Sequence, residues 1–292
     1  MNSLLDDITS AFKKRDLLIK LILINIYVFI PLLIIHVILY LFNQNQIFEI
    51  LLDFISLPAN LNKLALRFWT VFTYSFVHVD VIHIFFNLLV LYWFGHVVLD
   101  LVGEKKVLSL YILGGLAGAV FFVAGINLFP GLKHYQNSYL IGCSACVYAL
   151  VVGAATLSPN YRFFLIFLGP IKIKYLAAIY ILLSFAQTMG NNPGGNLAHL
   201  GGALMGYIYI TQLKKGNDLG KFLWRLAFNF KKLTELIFRK NKAQYIDKFN
   251  KTSYKSIPDE EEIDRILDKI NLKGYSSLTK EEKEKLKKAS QN

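Results

Sequence analysis

A serine and a histidine, each at the start of an apolar segment, are the residues of this sequence best suited to chemistry. Ser144 lies among the small residues from Gly142 to Ala145, and His199 opens a second apolar segment. A serine hydroxyl is a weak nucleophile until a base takes its proton, and a neutral imidazole is the usual base near pH 7. Ionisable side chains at membrane depth are costly and are functional by default. The two residues therefore indicate a nucleophile and its base on two different membrane helices.

Three more positions have the spacing to complete such a site. Tyr148 lies four residues after Ser144 on the same helix face, where its ring could pack against the imidazole. His83 and Asn87, four residues apart in an earlier apolar segment, are candidate donors for the oxyanion of a tetrahedral intermediate, as is the backbone N–H of Ser144. Since the acidic residues of the membrane region lie at the ends of its segments, the sequence favours a Ser-His dyad over a triad.

Some of these features also have simpler structural interpretations. A single serine in a membrane helix often serves close helix packing. Cys143 and Cys146 form a C-x-x-C pattern, but on an apolar helix we expect them to be small packing thiols. We expect neither a metal nor a cofactor. The combination of Ser144 with His199, rather than either residue alone, favours catalysis.

The apolar residues occur in long runs, which is typical of a polytopic membrane protein. Of the 292 residues, 54% are hydrophobic, and the mean hydropathy is +0.42. We predict an all-α membrane domain of six transmembrane helices over residues 17–213, with an interfacial loop at residues 43–67. The predicted spans are residues 17–42, 81–102, 107–129, 139–157, 175–189 and 197–213.

Lysine and arginine residues indicate the orientation of this bundle. Basic loops follow the second, fourth and sixth spans, and a basic cluster precedes the first. The positive-inside rule makes these segments cytoplasmic, so that residues 1–16 and the C-terminal tail lie on the same side. Ser144 and His199 are then expected near the outer leaflet, at similar depth.

The basic character of the chain is concentrated after the last span. The net charge is +12, and residues 214–292 hold 20 Lys and Arg against 12 Asp and Glu. Within residues 214–258, apolar residues at helical spacing alternate with a basic face, which indicates a helix bound to anionic lipid headgroups rather than to nucleic acid. Residues 259–292 have the pattern of a small cytoplasmic helical hairpin, with Thr279 and Glu282 as a capping box.

Together these motifs resemble the rhomboid family of intramembrane serine proteases, over about residues 17–213. Four motifs carry the resemblance. They are Trp69 in the first loop, the H-x-x-x-N of His83 and Asn87, the G-x-S pattern from Gly142 to Ala145, and His199 followed by Gly202 and Gly206.

The resemblance implies the following roles for the polar residues of the candidate site. Ser144 is the nucleophile and His199 the base. His83 and Asn87 help to form the oxyanion hole, and Tyr148 stacks on the histidine. His78 falls where the family often has a histidine in a weaker role.

The resemblance also implies an activity. We expect an endopeptidase that cleaves transmembrane segments of membrane-anchored proteins near the outer leaflet, located in the bacterial inner membrane. Ala145, where the family usually has glycine, adds a methyl group beside the nucleophile, and the sequence leaves open whether this narrows the substrate channel. Thr70 replaces an arginine found in many members. The alternative is a catalytically silent rhomboid-like protein that binds transmembrane clients. Such a protein normally lacks the nucleophile or the base, whereas this chain has both.

Overall fold

The computed structural model describes residues 17–165, 169–226, 229 and 260–290, most of which are helical. The chain divides into two compact units, with the boundary between Leu223 and Trp224. The predicted cytoplasmic N-terminus, residues 1–16, lies outside the described residues. So does most of the predicted lipid-bound segment, residues 214–258. Both interpretations therefore stay predictions.

The first unit is built mainly from helices, with short strands between them. Two short 3₁₀ helices also occur, at Tyr74–Phe76 and at Pro130–Tyr135. In chain order the elements are α1 (Leu17–Leu41), α2 (Asn45–Ile55), β1 (Leu57–Pro58), α3 (Leu61–Leu66), α4 (Thr70–Thr73), α5 (Val81–Val102), α6 (Glu104–Leu128), β2 (Tyr139–Leu140), α7 (Ser144–Leu157), β3 (Arg162–Leu165), β4 (Gly169–Lys172), α8 (Ile173–Gln187) and α9 (Pro193–Lys214).

Helices α1 and α5 to α9 occupy the six apolar blocks predicted from the sequence. Spanning the hydrocarbon core takes about 20 predominantly apolar residues. Within the described part of the chain, α1, α5 and α6 are long and apolar enough to do so. Helices α7 and α8 are apolar but shorter, with 14 and 15 residues. The protein is therefore a mostly helical membrane protein, and the count of six spans stays a prediction.

Two antiparallel strand pairs depart from the all-α prediction. Leu57 of β1 lies opposite Leu140 of β2, and Arg162 of β3 lies opposite Lys172 of β4. The first pair also corrects the predicted start of the fourth apolar helix at residue 139. Because the backbone there is extended and Gly142 has a φ of +101°, the helix begins only at Ser144. The candidate nucleophile is thus the first residue of α7.

Glycines on α9 bring this helix into direct backbone contact with α7. A Cβ atom on Gly202 would overlap the carbonyl oxygen of Ala145. One helical turn later, a Cβ atom on Gly206 would overlap the carbonyl oxygen of Ala149. Small residues allow such close approach between membrane helices. The relative position of Ser144 and His199 therefore depends on the absence of side chains at these two glycines.

Residues 43–67, predicted as an interfacial loop, contain α2 and α3 and are held together by charged groups. The Arg67 guanidinium forms an ion pair with the Asp53 carboxylate, and Lys63 Nζ lies 3.5 Å from the same group. Partial burial raises the pKa of the Asp53 carboxyl, but hydrogen bonding to Tyr139 and Arg67 and the two positive charges lower it overall. Trp69 Nε1 donates to the carbonyl of Phe54 at 3.0 Å, which ties the next segment to this one.

We expect Asp53→Asn to speed amide hydrogen exchange across α2 and α3 several-fold at pH 7. The asparagine keeps the shape of the side chain but leaves Arg67 and Lys63 without their counter-charge. A carboxyl with a lowered pKa adds stability above its unfolded-state value, and loses it as the pH falls through the folded-state value. The parent should therefore keep its protection down to the ordinary aspartate value of 3.8 and lose it only below. Equal exchange in parent and variant at pH 7 would contradict this role for Asp53.

The second unit contains α10 (Glu260–Lys273), a 3₁₀ turn at Tyr275–Ser277 and α11 (Lys280–Ala289). The capping box predicted from the sequence is present. The Thr279 side chain accepts from the Glu282 backbone N–H, and the Glu282 carboxylate accepts from the Thr279 N–H. Glu282 also accepts from Lys269 Nζ at 2.8 Å, which joins α11 to α10.

Candidate active site

The two residues predicted to react are in hydrogen-bond contact. Ser144 Oγ, on the first residue of α7, lies 2.8 Å from Nε2 of His199 on α9. Both side chains are half-buried, so they are partly shielded from solvent and still reachable. A nucleophile and base within about 2.6–3.2 Å is the arrangement that general-base activation of a hydroxyl requires. The pair can therefore pass the serine proton to the imidazole without a prior movement.

The Tyr148 ring fixes the orientation of the imidazole. The two rings are stacked, with centroids 4.3 Å apart and planes 7° from parallel. Tyr148 lies one helical turn after Ser144, as the spacing predicted, so α7 supplies both the hydroxyl and the surface against which His199 rests. This contact restricts rotation of the imidazole and keeps Nε2 directed at Ser144.

His83 and Asn87 on α5 face the same cavity as Ser144. The Asp80 side chain accepts the backbone N–H of His83 at 2.6 Å and so caps the start of this helix. The cavity has a volume of about 410 Å³, and its lining includes His83, Asn87, Ser144, Tyr148 and His199. Two polar side chains that could donate to an oxyanion are therefore brought to the nucleophile from a separate helix.

Gly142 allows the chain before the nucleophile to pass close to His83. Its φ is +101°, and a Cβ atom built there would lie 2.8 Å from His83 Cε1. The Gly142 N–H donates to the carbonyl of Tyr74 at 3.0 Å, which anchors this turn. Glycine is therefore needed here both for the backbone conformation and for the space.

We expect Gly142→Ala to lower kcat at least about tenfold and to destabilise the protein by about 1–3 kcal/mol, because the strained backbone and the clash with His83 add. The matched control is Gly131→Ala, since Gly131 has ordinary φ and nothing within 4 Å of a Cβ atom. Thermal unfolding and turnover measured on both variants separate a local effect from a general one. Parental activity in Gly142→Ala would contradict this role.

His78 supports the turn from the other side. It is fully buried, and its Nε2 accepts the backbone N–H of Cys143 at 3.3 Å. The Asn87 side-chain amide lies 3.3 Å from the same nitrogen. His78 thus links the turn before the nucleophile to one of the candidate oxyanion donors, without facing the cavity itself.

Sequence reasoning did not identify Ser184 on α8, whose side chain contacts two residues of the site. Its Oγ lies 3.0 Å from Nδ1 of His199 and 2.8 Å from the hydroxyl of Tyr148. The preference for a dyad rested on the positions of acidic residues and did not consider a hydroxyl. A single serine in an apolar helix has the same pattern as a packing serine, so the sequence carries no signal that separates the two.

The profile of the Rhomboid domain matches residues 65–215, which is just over half of the chain. This chain belongs to the rhomboid family. A separate profile, a family of unknown function (DUF6576), matches residues 246–292.

Individual rhomboid relatives are similar over about half of the chain. RHOMBOID-like protein 12, mitochondrial, from Arabidopsis thaliana is 29% identical over 51% of this chain and 48% of its own length. Presenilin-associated rhomboid-like protein A, mitochondrial, from Danio rerio is 29% identical over 52% of this chain and 37% of its own. Inactive rhomboid-related protein 2 from Caenorhabditis elegans is 27% identical over 53% of this chain and 43% of its own length. The chain thus spans about half or less of the length of these curated relatives.

The two departures from the rhomboid pattern do not alter the cavity directly. Ala145 is 1% exposed, and its methyl group occupies the space opposite Gly118 on α6, where a Cβ atom would overlap it. The methyl group therefore packs within a helix interface and not in the lining of the cavity, which answers the question that the sequence left open. Thr70, in place of the arginine, is buried and donates from Oγ1 to the carbonyl of Arg67 at 2.6 Å.

Proposed function

We propose that this rhomboid protein is an intramembrane serine endopeptidase that cleaves transmembrane segments of membrane-anchored proteins near the outer leaflet. The observation that carries the proposal is the 2.8 Å contact between Ser144 Oγ and His199 Nε2, beside a cavity that holds polar side chains. An acyl-transfer site needs a nucleophile, a base and oxyanion donors within reach of one carbonyl group. Residues of this chain are available for each of the three roles.

The reaction has two halves. Ser144 Oγ attacks the scissile carbonyl while its proton passes to His199 Nε2, and the negative charge of the tetrahedral intermediate is held by His83, the Asn87 amide and the Ser144 backbone N–H. The imidazolium then gives its proton to the leaving amine, and the acyl-enzyme remains. Water from the cavity attacks the ester with His199 again as base, which releases the acid product and restores the serine.

The membrane topology that goes with this proposal has six spans and both termini on the cytoplasmic side, with the basic tail on anionic headgroups. The substrates would be transmembrane proteins, and helix-destabilising residues near the scissile bond should favour cleavage, by resemblance to the family. Two of the relatives named above are called mitochondrial. Their names do not favour the bacterial inner membrane expected from the sequence, so we propose only an integral membrane location.

Cleavage by the full-length protein in lipid nanodiscs tests this proposal. The substrate is a single-span protein with a glycine or proline near the outer end of its transmembrane segment. We expect two fragments with the parent and none with Ser144→Ala, in which only the nucleophilic oxygen is removed. Equal fragment yields from the two proteins would mean that the chain has no such activity at Ser144.

A second candidate is a catalytically silent protein that binds transmembrane clients. It is favoured by the similarity to a relative whose name describes it as inactive. In that case parent and Ser144→Ala would retain the same transmembrane proteins on co-purification, with no cleavage by either. Cleavage by the parent alone excludes it.

A further inference from the structure

Ser184 on α8 connects the imidazole of His199 to a chain of hydrogen bonds that ends at a backbone carbonyl of the same helix. Its Oγ is 3.0 Å from His199 Nδ1, on the side of the ring opposite Ser144. The Ser184 hydroxyl donates to the Tyr148 hydroxyl at 2.8 Å, and Tyr148 donates to the carbonyl of Tyr180 at 3.4 Å. Ser184 is 2% exposed. Its hydroxyl is therefore satisfied by protein groups alone.

The direction of these bonds determines which nitrogen of His199 carries the proton. A serine hydroxyl has one hydrogen and two lone pairs. The Tyr180 carbonyl can only accept, so the Tyr148 hydrogen is used there and the Ser184 hydrogen is the one shared between the two hydroxyls. This arrangement leaves Nδ1–H of His199 as the donor to Ser184 Oγ. A neutral imidazole with hydrogen on Nδ1 has a bare Nε2, and Nε2 is the atom that faces Ser144.

We propose that Ser184 is a positioning residue that holds His199 in the tautomer able to take the Ser144 proton. The inference rests on the proposed function, since it assigns a third group to the same reaction. Ser184 does not line the cavity, and its hydroxyl contacts His199 and Tyr148 rather than Ser144. It exchanges no proton in this role, because Nδ1 keeps its hydrogen while Nε2 gains and loses one. In serine proteases with a triad a carboxylate fills this position. Here a neutral hydroxyl does so, without placing an anion inside the membrane domain.

Three helices therefore determine the tautomer and the orientation of the His199 imidazole. Helix α9 carries His199, α7 supplies the partner of Nε2 and the stacked ring, and α8 supplies the partner of Nδ1. Removal of the Ser184 hydroxyl leaves a buried N–H without an acceptor, both in the resting enzyme and in the imidazolium. Removal of this hydroxyl should therefore slow the chemical step and leave substrate binding unchanged.

The contribution of the Ser184 hydroxyl to the chemical step is measured by the turnover of a single-span substrate in nanodiscs. We expect Ser184→Ala to lower kcat about ten- to hundredfold with KM within about twofold. Ser184→Thr keeps an acceptor and should recover most of kcat. The matched control is Thr188→Val, directly after the end of the same helix, whose hydroxyl donates to the Ser184 carbonyl at 3.0 Å. It should stay within about twofold of the parent. A parental kcat in Ser184→Ala, or equal losses in Ser184→Ala and Thr188→Val, would overturn the proposal.

The tautomer itself gives a readout that does not depend on proteolysis. Nitrogen-15 NMR of histidine-labelled full-length protein is recorded in a Ser144→Ala background, so that only Ser184 selects between the ring nitrogens, and the His199 signal is identified by its loss in His199→Gln. We expect a protonated Nδ1, and a mixture of tautomers once Ser184→Ala is added. A protonated Nε2 with Ser184 present would refute the inference. If these spectra were found but the parent, with Ser144 intact, cleaved no substrate, the proposed function would be refuted while the assignment of the His199 tautomer to Ser184 would stand.

Discussion

His199→Ala should lower kcat at least about 10³-fold, with little change in KM. The imidazole is the group within reach of the Ser144 proton, and without it the hydroxyl attacks only at the rate of an unactivated alcohol. The stacked Tyr148 ring would remain but would have nothing to orient. Residues of a catalytic unit are strongly non-additive. The double variant Ser144→Ala/His199→Ala should therefore be no slower than either single variant.

The matched control for this experiment is a histidine in another apolar helix. His96 on α5 contacts the carbonyl of Tyr92 on its own helix through Nδ1 and does not line the cavity. His96→Ala should stay within about twofold of the parent. If His199→Ala retained a tenth of the parental kcat, the imidazole would not be the base.

Gly202→Val should lower kcat more than about a hundredfold and lower the unfolding temperature by several degrees. A side chain at this position has no space, because even a Cβ atom would overlap the carbonyl oxygen of Ala145. Overpacking of this kind costs typically 1–3 kcal/mol, and it moves the backbone of one helix away from the other. Since α7 carries Ser144 and α9 carries His199, a shift of about 1 Å breaks the contact between them.

Gly131→Val is the control for the size and type of this substitution. Nothing lies within 4 Å of a Cβ atom on Gly131, so both the unfolding temperature and the turnover should match those of the parent. Parental activity and stability in Gly202→Val would show that the close approach of α7 and α9 is not what places the two residues.

The residue types of the site could be predicted because polar groups stand out in apolar segments. Ser144 and Tyr148 share a face by spacing alone, and the structure stacks the tyrosine on His199 as expected. His83 and Asn87 share a face in the same way and line the same cavity. These predictions needed only helix periodicity and the cost of burying polar groups.

Features that depend on contacts between distant segments could not be predicted in this way. The extended residues before α7 pair with Leu57 and Pro58, which belong to a different part of the chain, so the helix begins later than the apolar run. Ser184 can be recognised as a partner of His199 only when the orientation of α8 in the folded protein is known. The direction of the Ala145 methyl depends on Gly118 of α6. In each case a neighbouring element, and not the local pattern, determines the outcome.

Labelling with a fluorophosphonate probe tests the central claim most directly, because the probe reacts with an activated serine and needs no knowledge of the substrate. The purified full-length parent, Ser144→Ala and His199→Ala are compared in the same detergent, with the labelled residue identified by mass spectrometry. We expect label on Ser144 of the parent and on neither variant. No label on the parent, or equal label on the parent and His199→Ala, would contradict an activated Ser144 that depends on His199.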